Sequence, residues 1–460
     1  MTAFTEGRRA QIAPVPGAPP RAPARAHPVA VLALIAAGGA AAIGLWWQDT
    51  PAIGGLGDWL TNAGRLTGLA CGYGVVVLVA LMARLPPLER GVGADRLARW
   101  HAMGGRYIVS LVVAHALLIT WGYAVTAHTS VLSQTKTLLM SYPDVIAATL
   151  AGVMFVGVGI SSARAARRRL RYETWYYLHF YTYLAIALAF SHQFANGAEF
   201  MRSLPARVVW STLYAGVTAA ILWYRFLTPA RQAMRHRLRV LSVKREGPGV
   251  VSIVITGQHL DDLRAEPGQF FRWRFLTRGQ WWTSSPYSLS APPRPDQLRI
   301  TAKALGEHSR ALAALRPGTR VLAEGPYGAL TAAVRRQRKV LLIAGGVGIT
   351  PLRALFEAIP AARGDLGLIY RVSRDKDAVF RRELEHLAQQ RGAALWIIAG
   401  RRTSLGEDPL APGALLANIP DLARHDVYLC GPPGMTAAVT RALRAARVPR
   451  RQIHHESFEF

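Results

Sequence analysis

Four histidines stand in long apolar stretches of a 460-residue chain, His101 and His115 in one, His179 and His192 in another. Imidazole in hydrocarbon is costly and seldom accidental. Within each stretch the two histidines are 14 and 13 residues apart, or about 21 Å and about 19.5 Å of helix axis. Neutral imidazole is a good iron ligand, and two rings facing each other from neighbouring helices hold a haem in a bundle core. The chain contains no C-x-x-C-H, so haems held this way are expected to be non-covalent and b-type. The two steps differ in phase. At ~100° per residue a 14-residue step returns to within about 40° of its starting face, whereas a 13-residue step ends about 140° away. The second stretch must therefore twist, bulge or present its histidines from different sides. His27 and His128 lack depth-matched partners and read as interfacial polar residues.

Helices that cross a membrane are needed to hold such histidines. Six apolar stretches precede residue 230, at Pro28 to Trp47, Arg65 to Ala83, Arg106 to Val125, Val145 to Ala163, Thr174 to Phe194 and Ala206 to Leu227. Each is near the ~20 residues that span ~30 Å of hydrocarbon. The first follows several arginines but is longer than a signal-peptide h-region, so it reads as a span. Composition agrees: 51% of residues are hydrophobic and 18% charged, against roughly 25% charged in a soluble domain. The balance of 55 Lys+Arg to 27 Asp+Glu gives a net charge of +28. A nucleic-acid binder with this charge would be charge-dense and apolar-poor, so the excess belongs to basic cytoplasmic loops and nucleic acid is excluded as a partner. Two cysteines, Cys71 and Cys430, are too few for a disulfide framework, a four-thiolate zinc site or a cysteine-bound iron–sulfur cluster.

Loop charge sets the orientation. Residues 1–27, rich in Ala, Pro and Arg, read as a disordered tail carrying Arg8, Arg9, Arg21 and Arg25. The second-to-third loop has Arg84, Arg90, Arg96 and Arg99, and the fourth-to-fifth has Arg164, Arg167, Arg168, Arg169 and Arg171. The other loops hold only Lys136 and Arg202. Both termini are thus expected in the cytoplasm, on a multi-pass protein of the cell (inner) membrane. His101 and His179 then lie near the inner surface, and His115 and His192 near the outer one.

After His236 the pattern changes to short β-type runs such as Leu238 to Val243 and Val250 to Ile255, punctuated by Pro-Gly pairs, which predicts a small barrel. Beyond Arg338, strand, Gly-rich turn and helix alternate, which predicts a parallel α/β sheet. Gly345, Gly346 and Gly348 follow an apolar strand, with Thr350 suited to an N-cap and Pro351 to a first helical turn. That is a phosphate-binding context, although not a G-x-G-x-x-G fingerprint.

The histidine pattern resembles the ferric reductase and NADPH oxidase superfamily, in which histidines on the third and fifth of six spans hold two stacked b-haems. The resemblance covers residues 28–460 and implies a multi-domain fold. It has a six-helix transmembrane di-haem bundle (28–235), a β-barrel FAD domain (236–335) and a ferredoxin–NADP reductase-like α/β nucleotide-binding domain (336–460). It assigns His101 and His179 to an inner haem, His115 and His192 to an outer one, and Arg65 to the vicinity of the outer haem. Ser285-Pro286-Tyr287-Ser288-Leu289-Ser290 resembles the R-x-Y-[ST] or H-P-F-[ST] flavin signature, with Ser285 where a basic residue is usual. Tyr287 would supply the aromatic face and Ser288 the hydroxyl near flavin N5. Lys303 to Ser309 is similar to the segment at the FAD pyrophosphate, where Lys303, Gly306 and Ser309 would contribute; Gly325-Pro326-Tyr327-Gly328 is another turn of that fold. The loop Gly345 to Thr350 is similar to the nicotinamide-dinucleotide pyrophosphate loop, and Ser373 and Arg374 favour the 2′-phosphate of NADPH, with NADH the alternative. Cys430-Gly431-Pro432-Pro433-Gly434-Met435 is similar to the C-G-P-x-x-M turn beside nicotinamide, and Phe460 is placed like a terminal aromatic that covers flavin.

Taken together, these residues imply electron transfer from cytosolic NADPH through FAD and two b-haems to an outside acceptor. Short outer loops without a metal-binding cluster favour oxygen, giving superoxide. A ferric-chelate reductase, or a membrane-anchored flavin reductase serving a protein electron carrier, is the alternative.

Overall fold

A computed structural model describes residues 26–48, 50, 53–163, 169–170, 172–400 and 408–456. The expectations for the N-terminal tail, for Arg164, Arg167, Arg168 and Arg171, and for Phe460 lie outside the described residues.

Six long helices form the N-terminal half: α1 (Pro28–Gln48), α2 (Leu56–Leu81), α3 (Ala94–Thr126), α4 (Val145–Ser162), α5 (Tyr172–Asn196) and α6 (Leu204–Ile221). Five of them are long and apolar enough to cross a membrane, α6 counted with its continuation to His236. The remaining one, α5, has the length at 25 residues but is made more polar by its tyrosines and histidines. Two helices begin earlier than expected. Arg65 therefore lies well inside α2, and His101 within α3. Beyond α6 the chain runs through a π-helical stretch, Leu222–Leu227, into a last helix, Thr228–His236.

Small residues set the packing. A Cβ on Gly57 would come within 2.3 Å of Thr126 Oγ1, and one on Gly122 within 2.4 Å of Thr61 Oγ1, so glycine at both sites lets α2 and α3 lie against each other. Helix α4 packs along α5. The two histidine-bearing helices, α3 and α5, approach at few points. A slot between them follows.

The C-terminal half has two units. Strands β1 (Arg239–Gly247), β2 (Val250–Thr256) and β5 (Gln297–Lys303) form one antiparallel sheet; β4 (Ser285–Ser288), β3 (Phe270–Phe275) and β6 (Val321–Tyr327) form another. Bridges at Arg239–Arg320 and Leu289–Ile300 join them around a shared core of Ile253, Ile255, Phe271, Trp273 and Ile300. The second unit is a five-stranded parallel sheet in the order β11-β10-β7-β8-β9, with β7 at Lys339–Gly345, β8 at Leu366–Val372, β9 at Ala394–Ala399, β10 at His425–Cys430 and β11 at Ile453–His455. Its helices include α7 (Ile349–Ala358), α8 (Arg381–Arg391) and α9 (Pro433–Ala445). Strand β7 pairs with β8 on one side and β10 on the other, so the strand order reverses there. Loops leaving β7 and β10 then open a crevice between them.

The halves are joined at the Gly325–Tyr327 turn. Gln232 Nε2 donates to Gly325 O at 2.8 Å, and Arg84 pairs with Glu324 and donates to Tyr327 Oη at 3.2 Å. Phe356, fully buried between α7 and the parallel sheet, tests this core. Phe356→Ala is expected to cost about 3–5 kcal/mol, measured as a lowered unfolding midpoint of the full chain in detergent.

Candidate functional site

The expected histidine pairs form. The rings of His101 and His179 have centroids 5.9 Å apart, and those of His115 and His192 6.5 Å apart. With nitrogen–metal bonds of about 2 Å, two imidazoles sharing one metal have ring centres roughly 6 Å apart. Helix α5 runs unbroken from Tyr172 to Asn196. Of the three outcomes allowed by its 13-residue step, the described geometry leaves a helix that presents its histidines from different sides.

Hydrogen bonds from α2 decide which ring nitrogen faces the slot. His101 Nδ1 lies 3.1 Å from Leu78 O, and His115 Nδ1 lies 2.8 Å from Gly64 O. A carbonyl only accepts, so Nδ1 carries the proton and Nε2 keeps its lone pair for a metal. His192 Nδ1 sits 3.1 Å from the Asn196 amide, and His179 stacks on Trp175 at 5.2 Å. The His179 Nδ1 atom is buried and has no hydrogen-bond partner among the described residues. Among the described residues no cluster of three or more His, Cys, Asp or Glu is arranged for a bare metal ion. Paired imidazoles across a slot fit the axial ligation of a flat porphyrin instead.

Arg65 follows Gly64, the acceptor of His115, and is ion-paired within the helix bundle. Its guanidinium donates to Glu199 Oε1 at 2.9 and 2.7 Å and to Asn62 Oδ1 at 2.9 Å. Glu199 is almost fully buried, so the arginine charge is balanced by a carboxylate that sequence reasoning did not single out.

In the nucleotide unit, two expected motifs interlock. A Cβ on Gly348 would lie 2.3 Å from Cys430 O, and one on Gly345 2.3 Å from Met435 Sδ. Gly346 adopts φ +54°, and Gly431 packs against the Gly345 backbone. Register places Cys430 opposite Ala344. The Gly-rich loop and the Cys430 turn therefore meet at the reversal of strand order. Thr350 is not the N-cap: α7 begins at Ile349, and the Thr350 hydroxyl donates to Val347 O at 3.1 Å. Helix entry is made by a preceding 3₁₀ turn, Gly346–Gly348, which moves the cap upstream. Pro351 does fall in the first turn. Ser373 and Arg374 are exposed beyond the end of β8, and Arg374 forks onto Asp377 at 2.9 and 3.1 Å. Asp375 pairs with Arg381, which takes up the carboxylate that follows Arg374.

The flavin-type segment is held in place by Trp273, whose Nε1 donates to Tyr287 O at 3.0 Å. Ser288 is buried, and among the described residues its hydroxyl has no hydrogen-bond partner, nor do the buried hydroxyls of Thr283 and Ser284. Burial pushes the Tyr287 phenol pKa up, so it stays neutral. Three orphaned hydroxyls beside an aromatic ring fit a polar, flat ligand such as flavin. A cleft of about 290 Å³ opens between this segment and the membrane half, lined by Tyr176, Tyr183, Arg225, Arg272, Trp282 and Ser284 among others. Tyr176 and Tyr183 stand about one turn either side of His179. The cleft and the His101/His179 pair are thus neighbours. In the Lys303–Ser309 segment the serine hydroxyl is engaged locally. Ser309 Oγ accepts from the Leu305 and Gly306 amides at 2.9 Å each, so it caps its own short helix. Gly306 has an extended backbone with open space at its Cβ position, so close packing does not demand glycine there.

Glu456, unremarked at the sequence level, lies at the Cys430 turn. Its carboxylate oxygens are 3.1 Å from where a Cβ on Gly328 would stand. Burial first, then this carboxylate, push the Cys430 thiol pKa well up.

The family described as ferric reductase like transmembrane component matches residues 67–190, which contain His101, His115 and His179 and end two residues before His192. The oxidoreductase NAD-binding domain family matches residues 342–441, which contain both interlocked motifs. The chain is similar to the glycine betaine monooxygenase reductase subunit of Chromohalobacter salexigens, with 28% identity over 236 residues, 49% of this chain and 64% of the relative. It is also similar to a flavohemoprotein of Xylella fastidiosa, with 28% identity over 204 residues, 42% of this chain and 51% of the relative. Similarity to ferredoxin–NADP reductase B of Sorangium cellulosum is 30% over 201 residues, 38% of this chain and 77% of the relative. The chain thus spans about half to two thirds of the length of the first two.

The thiol at residue 430 gives a direct test of this geometry. Its raised pKa keeps it protonated at pH 8, so iodoacetamide is expected to leave Cys430 unmodified in the folded chain and to label it after denaturation, as read by mass spectrometry. The sign for stability follows. The folded thiol ionises above the unfolded value of about 8.5, so its contribution is intact below that pH and is lost as pH rises past it.

Proposed function

Because the chain joins a ferric reductase-like transmembrane domain to a ferredoxin–NADP reductase-like domain, the architecture of the ferric reductase and NADPH oxidase-type flavocytochromes, we propose that it carries electrons from cytosolic NADPH across the cell membrane to oxygen, forming superoxide. The observation that carries this reading is the pair of facing imidazole couples, His101/His179 and His115/His192, set at two depths beside a nucleotide module. All six long helices, α5 included, are read as spans with both termini cytoplasmic. Residues 28–235 then form the di-haem bundle, 236–335 the FAD barrel and 336–460 the nucleotide domain.

Bound FAD would convert the two electrons of a hydride into single electrons, and two b-haems would accept them one at a time. The protein's own part is to bind and orient. Leu78 and Gly64 carbonyls fix two imidazole tautomers. Tyr287 offers its ring and Ser288 its unpaired hydroxyl to the flavin. Gly345, Gly346 and Gly348 open the loop to the dinucleotide phosphates, and Gly431 keeps the facing turn close. Cys430, neutral and buried, lines the nicotinamide end without adding charge. Ser373 and Arg374 favour NADPH over NADH, and Lys303, Gly306 and Ser309 are read as the segment that meets the FAD pyrophosphate. Phe460 is read as the flavin cover. Arg65, neutralised by Glu199, keeps the outer end free of a net positive charge.

Purified chain reconstituted with FAD is expected to show b-type bands in a reduced-minus-oxidised spectrum after NADPH addition. His115→Ala and His192→Ala are each expected to remove one haem and to cut superoxide-dismutase-sensitive cytochrome c reduction at least tenfold. Ferric-chelate reduction that exceeds superoxide formation would move the acceptor to ferric iron. Absence of b-type bands after expression with ample porphyrin would leave the flavin-reductase alternative.

A further inference from the structure

We propose that Arg353, Glu383 and Arg299 form a polar clamp that sets the approach of the nucleotide loop to the flavin strand during hydride transfer; this rests on the reading above. Arg353 lies on α7, three residues after Thr350, and is 4% exposed. Its Nη1 donates to Ser290 O at 3.2 Å across the boundary between the two reductase units, and its Nη2 meets Glu383 Oε1 at 2.5 Å. From the flavin side, Arg299 on β5 donates to Ser290 O at 2.7 Å and to its Oγ at 3.2 Å, and reaches Glu383 at 3.1 and 3.3 Å. Ser290 is fully buried and stands two residues beyond Ser288. Thr301 Oγ1 holds its hydroxyl at 2.8 Å.

One carboxylate thus sits between two guanidiniums that come from different units, and both guanidiniums close on one carbonyl beside the flavin hydroxyl. Apolar contact would keep the units together but allow them to slide. Arg353 also pairs with Glu357 on its own helix at 2.5 Å, so its charge stays balanced within α7, and what Glu383 adds is the tie from Arg353 to Arg299 and the flavin unit. Helix α7 is the rod that carries this constraint back to Gly348. Hydride transfer is sensitive to its setting, since a misplacement of about 1 Å costs about 100-fold in rate. None of the three side chains belongs to the motifs that meet cofactor or nucleotide, so they act as positioning residues.

The test is anaerobic stopped-flow reduction of bound FAD by NADPH in the full-length holoprotein. Glu383→Gln keeps the shape and removes the charge. Its limiting rate of flavin reduction is expected to fall about 10- to 100-fold, with half-saturating NADPH within about twofold of the parent and with FAD content and haem absorbance unchanged. The isotope effect with 4-deuterated NADPH is expected to rise. Glu383→Asp, which restores the carboxylate, is expected to recover part of the rate and serves as the folded variant if Glu383→Gln does not accumulate. A parental limiting rate in either holoprotein variant would overturn the clamp, as would loss of FAD with an unchanged rate in the molecules that retain it. Flavin in the parent that NADPH does not reduce would instead overturn the underlying reading, and the clamp with it.

Discussion

Two hydrogen bonds between neighbouring helices determine what the membrane half can hold: His101 to the Leu78 carbonyl and His115 to the Gly64 carbonyl. An imidazole left to itself in hydrocarbon has two nitrogens and no preference about which carries the proton. Tying Nδ1 to a carbonyl removes the choice, and the remaining nitrogen becomes a directed lone pair. Helix α2 contributes no ring to the slot, yet it supplies both acceptors. That explains its glycines. A Cβ on Gly68 would come within 2.7 Å of His115 Nδ1, and one on Gly64 within 2.7 Å of Ile119 Cδ1, so larger residues would push α3 and its histidines off their acceptors.

The reductase half solves a similar problem with backbone instead of side chains. At the reversal between β7 and β10, two turns approach until glycine is required on both sides. Their closeness buries Cys430 completely and sets the Gly-rich loop directly against the Cys430 turn. The flavin-type strand β4 reaches the same region from the antiparallel unit, and the buried polar network around Ser290 holds the two units in one setting. Each half therefore positions its reactive region through a neighbour that carries no reactive group itself.

Much of this was legible in the sequence because it is periodic or local. Histidine spacing gave two pairs at two depths, and those pairs form with ring separations of 5.9 and 6.5 Å. Strand–turn–helix alternation gave the parallel sheet and the Gly-rich turn at its reversal. Contacts between distant segments were not legible. Glu199 lies 134 residues from Arg65, and a glutamate in a short segment between two long helices carries no mark of its partner. The Leu78 and Gly64 carbonyls are main-chain atoms that any residue would offer. A local signal also misled: Thr350 looked like an N-cap, but it lies inside the first turn and bonds to Val347 O, as Ser and Thr do wherever a turn offers a partner. The barrel pattern in the sequence corresponds to two three-stranded sheets joined by single bridges.

The π-helical stretch at Leu222–Leu227 lies within the helical rod that leads from bundle to reductase. A rod of helix transmits rotation as faithfully as length, because each residue turns its end by about 100° while advancing it about 1.5 Å. A one-residue insertion or loss there would hardly change the reach to the reductase half, but it would swing that half to another compass bearing, away from the Gly325–Tyr327 seat. In this molecule the junction works as an azimuthal key, and the number of residues in one wide turn decides which face of the reductase looks up at the membrane.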